Sequence, residues 1–542
     1  MPSRRLLIAA TAVGAAVAMG TRAFATSPSA AAVRREVLAW STPTVRAIRA
    51  ASDRLNLGIT RQEAQLYAEL APGLVAAHGR VRAAWEKAHP MPEPPPYARG
   101  TDALNAVEFE LGTTPGTVGS LAGKRVAIKS TIAYGGVPLA AGSRLVQGHV
   151  PRESATVVLR TLAAGAAVTH TTRTDDLCLA ITGATPWDGP VLNPWDRDRT
   201  TGGSSAGAAA LLAAGLVDLA IMVDQAGSGR VPPSHCGAFA LLPTSGLIPM
   251  TGILGFTPVQ DRVAVAGRRV REVAVLASEL SGTDRRDRFA QHAPRDWTRG
   301  LRDGVRGLRV GIVGQSLTPE FCTPEVAAVV RARADDLALA GAVLSTVDIP
   351  QYGEARDLAM LLTVHGGVPA VLAGHFGHSP GVAHGDPELV HQVSDRRDRD
   401  PGHLGATTKL SAAVGAACGD SAEWVAATLD GIARLTTAWD AALNGVDVLL
   451  TPTVYTPALP APGPGTPDGE VIADAIGKGI AHTCGLNLTA HPAAQIPGGT
   501  VDGLPVGVQA IAGLHREDRL LRVATVLEPS GGWPTAPQGA ER

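Results

Sequence analysis

Between Arg125 and Asp224 the chain alternates short apolar runs with helix-forming stretches, and this alternation restricts its fold more than any other feature. Arg125-Val-Ala-Ile-Lys129 reads as a strand, Ala155 to Ala164 as a helix, and Ala167-Val-Thr169 as a second strand. An Ala/Leu-rich helix over Ala206 to Ala214 then leads to Asp218-Leu-Ala-Ile-Met-Val-Asp224, a strand whose interior is apolar at every position. A strand without polar alternation is covered on both faces, the condition of a sheet with much parallel pairing between helical layers. Arg306 to Val313 and Val446 to Leu450 predict further core strands, so the same sheet is expected to continue into the C-terminal half. The fold class is therefore α/β.

Upstream the pattern changes. Val33 to about His89 reads as helical, with one apolar stripe through Val45, Ile48 and Leu55 and another through Ala64, Tyr67, Leu70 and Leu74. Thr60 with Glu63 three residues on predicts a capping box. Met91-Pro-Glu-Pro-Pro-Pro96 is a stiff linker. A chain of 542 residues has room for more than one domain. The division expected is a signal peptide at 1–25, a helical N-terminal domain with its Pro-rich linker at 26–97, the main domain at 98–535, and a tail at 536–542. The first segment is read from Arg4-Arg5, the apolar run Leu6 to Met19, and Ala23-Phe24-Ala25. That is the order of a secretory signal cleaved after Ala25, and the arginine pair suggests the twin-arginine route. An uncleaved anchor helix is the alternative, disfavoured because the run falls short of the roughly 20 residues of a span.

Bulk composition excludes several classes. Lys+Arg 48 against Asp+Glu 49 leaves a net charge of −1, so no overall field favours nucleic acid or an anionic membrane. Five scattered cysteines without C-x-x-C argue for buried free thiols rather than a disulfide framework. The 15 histidines show no metal-ligand spacing, so no metal is expected. The charged run Ser394 to Asp400 reads as a solvated surface loop.

Thr201-Gly-Gly-Ser-Ser-Ala-Gly207 contains G-x-S-x-G, which in a nucleophile elbow needs a strand before it and a helix after it. The helix is present. Asn193 to Thr200, polar and with a proline, reads as loop, so the elbow reading fails.

Three pieces line up instead: Val126-Ala-Ile-Lys129-Ser130, Thr201 to Gly207, and Asp224-Gln-Ala-Gly-Ser228-Gly-Arg230-Val-Pro232. Around them, in order, stand Gly135-Gly-Val-Pro138, Gly142-Ser143, Ala155-Thr-Val-Val158, Asn193-Pro194, Gly503-Leu-Pro-Val-Gly-Val-Gln509 and Leu520-Leu521. Together these resemble the amidase signature family, most of all the broad-spectrum bacterial amidases associated with nitrile hydratases. The resemblance implies an α/β/α sandwich with a mixed central sheet over an amidase domain at 98–535, preceded by the small helical domain. It implies hydrolysis of a small-molecule carboxamide through an acyl-serine, without a cofactor. Position by position, Ser228 matches the nucleophile, Ser204 the serine held on a cis peptide, and Lys129 the general base. Ser205 becomes a supporting neighbour, and Cys178 and Ser204 fall where the family binds substrate. The small amide is then the expected partner, with no nucleic acid and no stable membrane insertion, and the helical N-terminal domain is the candidate surface for a homodimer.

The chemistry is coherent on its own terms. A serine hydroxyl attacks only when a base removes its proton, and no histidine lies in these motifs. Lys129 ends an apolar strand, where low dielectric disfavours an ammonium ion, so it can serve as that base through Ser204. The backbone N–H groups of Gln225, Ala226, Gly227 and Ser228 are the candidate oxyanion hole. Taken singly, Lys129 is a strand-end lysine reaching solvent, Ser204-Ser205 an N-cap pair, and Gly227-Ser228-Gly229 a turn. Their joint occurrence favours the catalytic reading. Asp224 and Arg230 read as a structural pair, and Trp187 and Trp195 as packing residues.

The sequence also departs from the family pattern. Ala226 replaces a glycine, costly if the turn needs positive φ there. Gly229 replaces a β-branched residue, Ser130 an acid, and Ala264-Val265 a Gly-Pro pair. Ala226 and Gly229 motivate one rival, a catalytically silent amidase-like binding protein. An acyltransferase or esterase using the same acyl-enzyme is a second, and one component of a transfer-RNA amidotransferase, which the export signal argues against, is a third.

Overall fold

The computed structural model describes residues 42–537 apart from 295, 374–385, 419–420, 464–465, 467–468 and 472–477. The signal read over 1–25 lies outside the described residues. In chain order the strands are β1 (Tyr97–Arg99), β2 (Val107–Leu111), β3 (Arg125–Lys129), β4 (Ala167–Thr172), β5 (Leu192–Asn193), β6 (Asp196–Thr200), β7 (Leu219–Asp224), β8 (Phe239–Leu242), β9 (Arg262–Gly267), β10 (Arg309–Val313), β11 (Val343–Val347), β12 (Val448–Pro452), β13 (Ala493–Val501) and β14 (Leu504–Ile511). Twelve of them form one mixed sheet in the order β1-β2-β4-β3-β7-β9-β8-β13-β14-β12-β10-β11. Parallel pairing is confined to two groups, β4-β3-β7 and β11-β10-β12. The antiparallel pairs of β8, β9, β13 and β14 join them. Helices cover both faces, so the α/β expectation with a mixed sheet holds.

Period two, with both faces buried, explains why β7 is apolar from Leu219 to Val223. Leu219, Ile221 and Val223 point into one core with Val126, Ile128, Val263 and Val265. Ala220 and Met222 point the other way, with Ala127, Ala264 and Ala266, onto the helix Ala206–Ala213. That face is lined by small side chains, which let a helix buried at all eight positions lie close to the sheet. Tight apposition there fixes the loop that enters the helix.

The N-terminal region forms the helices Val45–Leu55 and Arg61–Ala88. The capping box is present: the Glu63 N–H donates to Thr60 Oγ1 at 3.2 Å and the Thr60 N–H to Glu63 Oε2 at 2.8 Å. Of the two predicted stripes, Ala64 is buried, whereas Leu55, Tyr67, Leu70 and Leu74 are exposed. After the proline-rich run the chain enters β1, on the sheet edge.

Two loop readings are corrected. Asn193 to Thr200 is mostly the antiparallel ribbon β5-β6, whose Asn193 amide donates to the Thr200 and His235 carbonyls. Ser394 to Asp400 is the end of the helix Pro387–Arg399 and its C-cap, not a free loop. Arg396 donates to the Arg144 and Gln147 carbonyls and Arg397 to that of Leu372, so these charges hold backbone rather than face only water. Among the described residues all five cysteines are free; Cys236, Cys322 and Cys484 are buried, Cys178 is partly so, and Cys418 is exposed.

Candidate active site

Lys129 is the last residue of β3, and its neighbour β7 ends at Asp224. Parallel strands thus deliver both groups to one edge of the sheet, where the helix Ala206–Ala213 also begins. Lys129 is only 1% exposed. Its Nζ donates to Ser204 Oγ at 2.7 Å and to the Val223 carbonyl at 3.3 Å. Ser204 Oγ in turn donates to Ser228 Oγ at 2.9 Å. Three side chains spread over a hundred residues therefore form one buried hydrogen-bonded line.

The serine loop is held from beneath. The Gly203–Ser204 peptide is cis. The Ser204 carbonyl accepts from Thr174 Oγ1 and from the Asp175 N–H. A Cβ on Gly203 would run into Asp175 Oδ2, so only glycine fits there. Asp175 is fully buried and receives N–H groups from Gly183 and Thr185 at 2.9 and 3.0 Å. Burial pushes its carboxyl upward, against those hydrogen bonds and the nearby Lys129. Ser205 is the N-cap residue by position, yet its side chain makes no capping bond and donates to the Val223 carbonyl at 3.4 Å.

The turn carrying Ser228 is organised by Asp224. Its Oδ1 accepts the Gly227 N–H at 2.7 Å and its Oδ2 the Gly229 N–H at 3.0 Å. The same carboxylate pairs with Arg230 Nε at 2.9 Å. Arg230, fully buried, also donates to Gln509 Oε1 at 2.7 Å, Asn487 Oδ1 at 2.6 Å and the Thr483 carbonyl at 3.0 Å. Burial alone would raise the Asp224 carboxyl, but Arg230 and Asn487 outweigh it and hold it below the ordinary range.

Two sequence expectations change here. The positive φ of the turn falls on Gly227, at +135°, and Ala226 is not among the described residues with positive φ, so its Cβ costs nothing. The Gly227 N–H, assigned above to the oxyanion hole, is instead committed to Asp224. Positions 229 and 264 compete for one space, because a Cβ on Gly229 would overlap the Cβ of Ala264. Ser130, buried, leaves its hydroxyl oxygen without a partner among the described residues.

A cavity of about 210 Å³ opens over Ser228, walled in part by Cys178, Gln225 and Ala226. Cys178, at φ +60°, lies with its Sγ 3.6 Å from Thr174 Oγ1. The far wall comes from Met360, Thr363 and Val364, from the helix Ala406–Ala417, and from Ile480. None of these residues stood out in the sequence. Thr483, Asn487 and Asp175 were missed as well; the adjacent carboxylates Asp175 and Asp176 were the available signal. Trp187 lies between Arg99 and Arg144, and Trp195 donates to the Cys236 carbonyl at 2.9 Å, so both pack.

Comparison with known proteins agrees with this geometry. A family model described as Amidase matches residues 106–521. An enantioselective amidase of Rhodococcus rhodochrous is 32% identical over 514 residues, covering 92% of this chain and 98% of its own. A glutamyl-tRNA(Gln) amidotransferase component from Methanosarcina mazei is 30% identical over 422 residues, 78% of this chain and 87% of its own. The solved structure of 6-aminohexanoate cyclic dimer hydrolase superposes with a TM-score of 0.66 at 26% identity, covering 78% of this chain and 87% of that one.

Proposed function

The chain belongs to the amidase family, and from that premise we propose that it hydrolyses a small carboxamide through an acyl-enzyme on Ser228. It is an amidase; the relay and the substrate are the proposal. The observation that supports it is the line Lys129 Nζ–Ser204 Oγ–Ser228 Oγ, at 2.7 and 2.9 Å. With the hydroxyl protons turned the other way, the same contacts pass the Ser228 proton to Ser204 and the Ser204 proton to the amine of Lys129. Ser228 Oγ bonds to the amide carbon, and the carbonyl electrons move to oxygen. With the Gly227 N–H engaged, the Gln225, Ala226 and Ser228 N–H groups are the donors assigned to that oxyanion. Collapse breaks the C–N bond while the relay returns a proton to the departing nitrogen. Water then repeats the sequence and releases the acid.

A fluorophosphonate probe tests the assignment. It is expected to label Ser228, and Ser228→Ala is expected to abolish labelling and ammonia release together. Label on Ser204 or Ser205 with Ser228 untouched would overturn the roles. No label, combined with tight amide binding, would favour the silent binder. The basic, apolar and A-x-A order of residues 1–25 supports export of the mature enzyme as part of the same proposal.

A further inference from the structure

We propose that the cavity over Ser228 accepts an uncharged, apolar acyl chain and rejects carboxamides whose acyl part carries a carboxylate or an ammonium group; this rests on Ser228 as the attacking residue. Leu179, Ile181, Met360, Val364, Leu410 and Val414 supply the apolar wall. Among the described residues lining the cavity there is no Asp, Glu, Lys, Arg or His. Its polar groups are partly spent on one another: Gln225 Nε2 donates to Thr363 Oγ1 at 3.2 Å, and Thr363 Oγ1 to the Ala359 carbonyl at 2.8 Å.

The carboxylates behind the wall are closed off too. Asp176, 4% exposed, accepts from Thr408 Oγ1 at 2.8 Å, and Asp175 is taken by Gly183 and Thr185. Lys129 is turned to Ser204. A charged acyl chain would thus lose its hydration and meet no counter-ion among the described residues, the costly case of burial. An aliphatic or aryl-alkyl chain loses only unfavourable contact with water. This sets the enzyme apart from any that acts on a free amino-acid amide such as glutamine, whose acyl part carries both charges.

Two isosteric pairs test the proposal: 4-methylpentanamide against succinamate, and pentanamide against 4-aminobutanamide. The neutral member of each is expected to lead in kcat/KM by ~10³-fold, since nothing in the cavity replaces the lost water. Val414 is 43% exposed at the cavity wall, so Val414→Lys places an ammonium there without burying it. That variant is expected to narrow the succinamate gap about tenfold while leaving the 4-aminobutanamide gap as wide or wider. Equal rates within either wild-type pair would overturn the inference, as would a Val414→Lys variant that slows all four amides by one common factor. Ligand-observed NMR on Ser228→Ala reads the same preference as binding, independently of turnover. If neutral amides bind preferentially while the probe leaves Ser228 unlabelled, the pocket inference stands and the catalytic reading falls. If Ser228 is labelled and charged amides bind equally well, the reverse holds.

Discussion

Gly229 and Ala264 share one methyl-sized space: a Cβ built on Gly229 would overlap the Cβ of Ala264 across the turn that carries Ser228. Against the family pattern that the sequence resembles, a β-branched residue and a glycine, this chain has a glycine facing an alanine. The two departures compensate each other, so neither signals a damaged turn.

The exchange can be run as a cycle. Gly229→Ala alone is expected to destabilise by about 1–3 kcal/mol, the usual cost of overpacking a filled core. Adding Ala264→Gly is expected to recover much of that loss, less the roughly 0.5–1 kcal/mol cost of a strand glycine. Denaturant unfolding of the four proteins measures the coupling. Strict additivity would show that the two positions do not compete for space.

Gly227 and Ala226 are expected to respond in opposite ways. Gly227→Ala places a side chain at φ +135° and against Thr483 Oγ1, so the turn must move and turnover is expected to fall at least ~10²-fold. Ala226→Gly is expected to leave kcat within about twofold, because no positive φ is relieved there. Steady-state kinetics on one amide distinguish them. A large gain from Ala226→Gly would mean that the turn rearranges during the reaction.

Removing the base should cost more than removing the relay. Lys129→Ala is expected to slow acylation by about 10²–10⁴-fold, and Ser204→Ala to fall between it and the intact enzyme, since a water molecule can partly replace a hydroxyl. Pre-steady-state labelling by the fluorophosphonate reads acylation directly. Lys129→Ala labelling at the normal rate would remove the lysine from the mechanism.

Asp261 gives the stability a pH slope. Burial pushes its carboxyl to about 7, against the N–H groups of Thr257 and Phe256. The unfolded chain loses this proton near the ordinary 3.8 and the folded chain only near 7, so between those values the folded state binds more protons. Stability from this group is therefore expected to fall as pH rises through that window, by about 4 kcal/mol at the upper end. Asp261 Oδ2 accepts the Thr257 N–H at 2.7 Å while Oδ1 has no partner among the described residues, so Asp261→Asn keeps the bond and is expected to flatten the slope. Urea titrations at pH 4.5 and 7.5 check it.

Lys129, Ser204 and Ser228 were readable in the sequence because each sits in a short motif and the motifs together resemble the amidase signature; taken singly, none of the three stands out. The strand β7 was readable because burial on both faces leaves no polar position from Leu219 to Val223. The acyl pocket was not readable, for a physical reason. Met360, Val364, Leu410 and Val414 lie on helices whose apolar residues look like any others that face a core, and only the tertiary fold turns them over Ser228. Asp224 was recognised as a structural residue, but its claim on the Gly227 N–H was not, because a carboxylate that orders a turn and one that faces solvent are written with the same letter. The charged run ending at Asp400 misled because Arg396 and Arg397 spend their donors on carbonyls more than two hundred and about two dozen residues away.

Arg230 ties the timing of activity to the order in which the chain is made. The guanidinium that neutralises Asp224, and so shapes the Ser228 turn, is itself held by Thr483, Asn487 and Gln509. Those partners leave the ribosome some 250 to 280 residues after the turn they support. A nascent chain that already contains Lys129, Ser204 and Ser228 is still without the scaffold that sets their geometry. Hydrolysis is therefore expected to await the last strands of the sheet, β13 and β14.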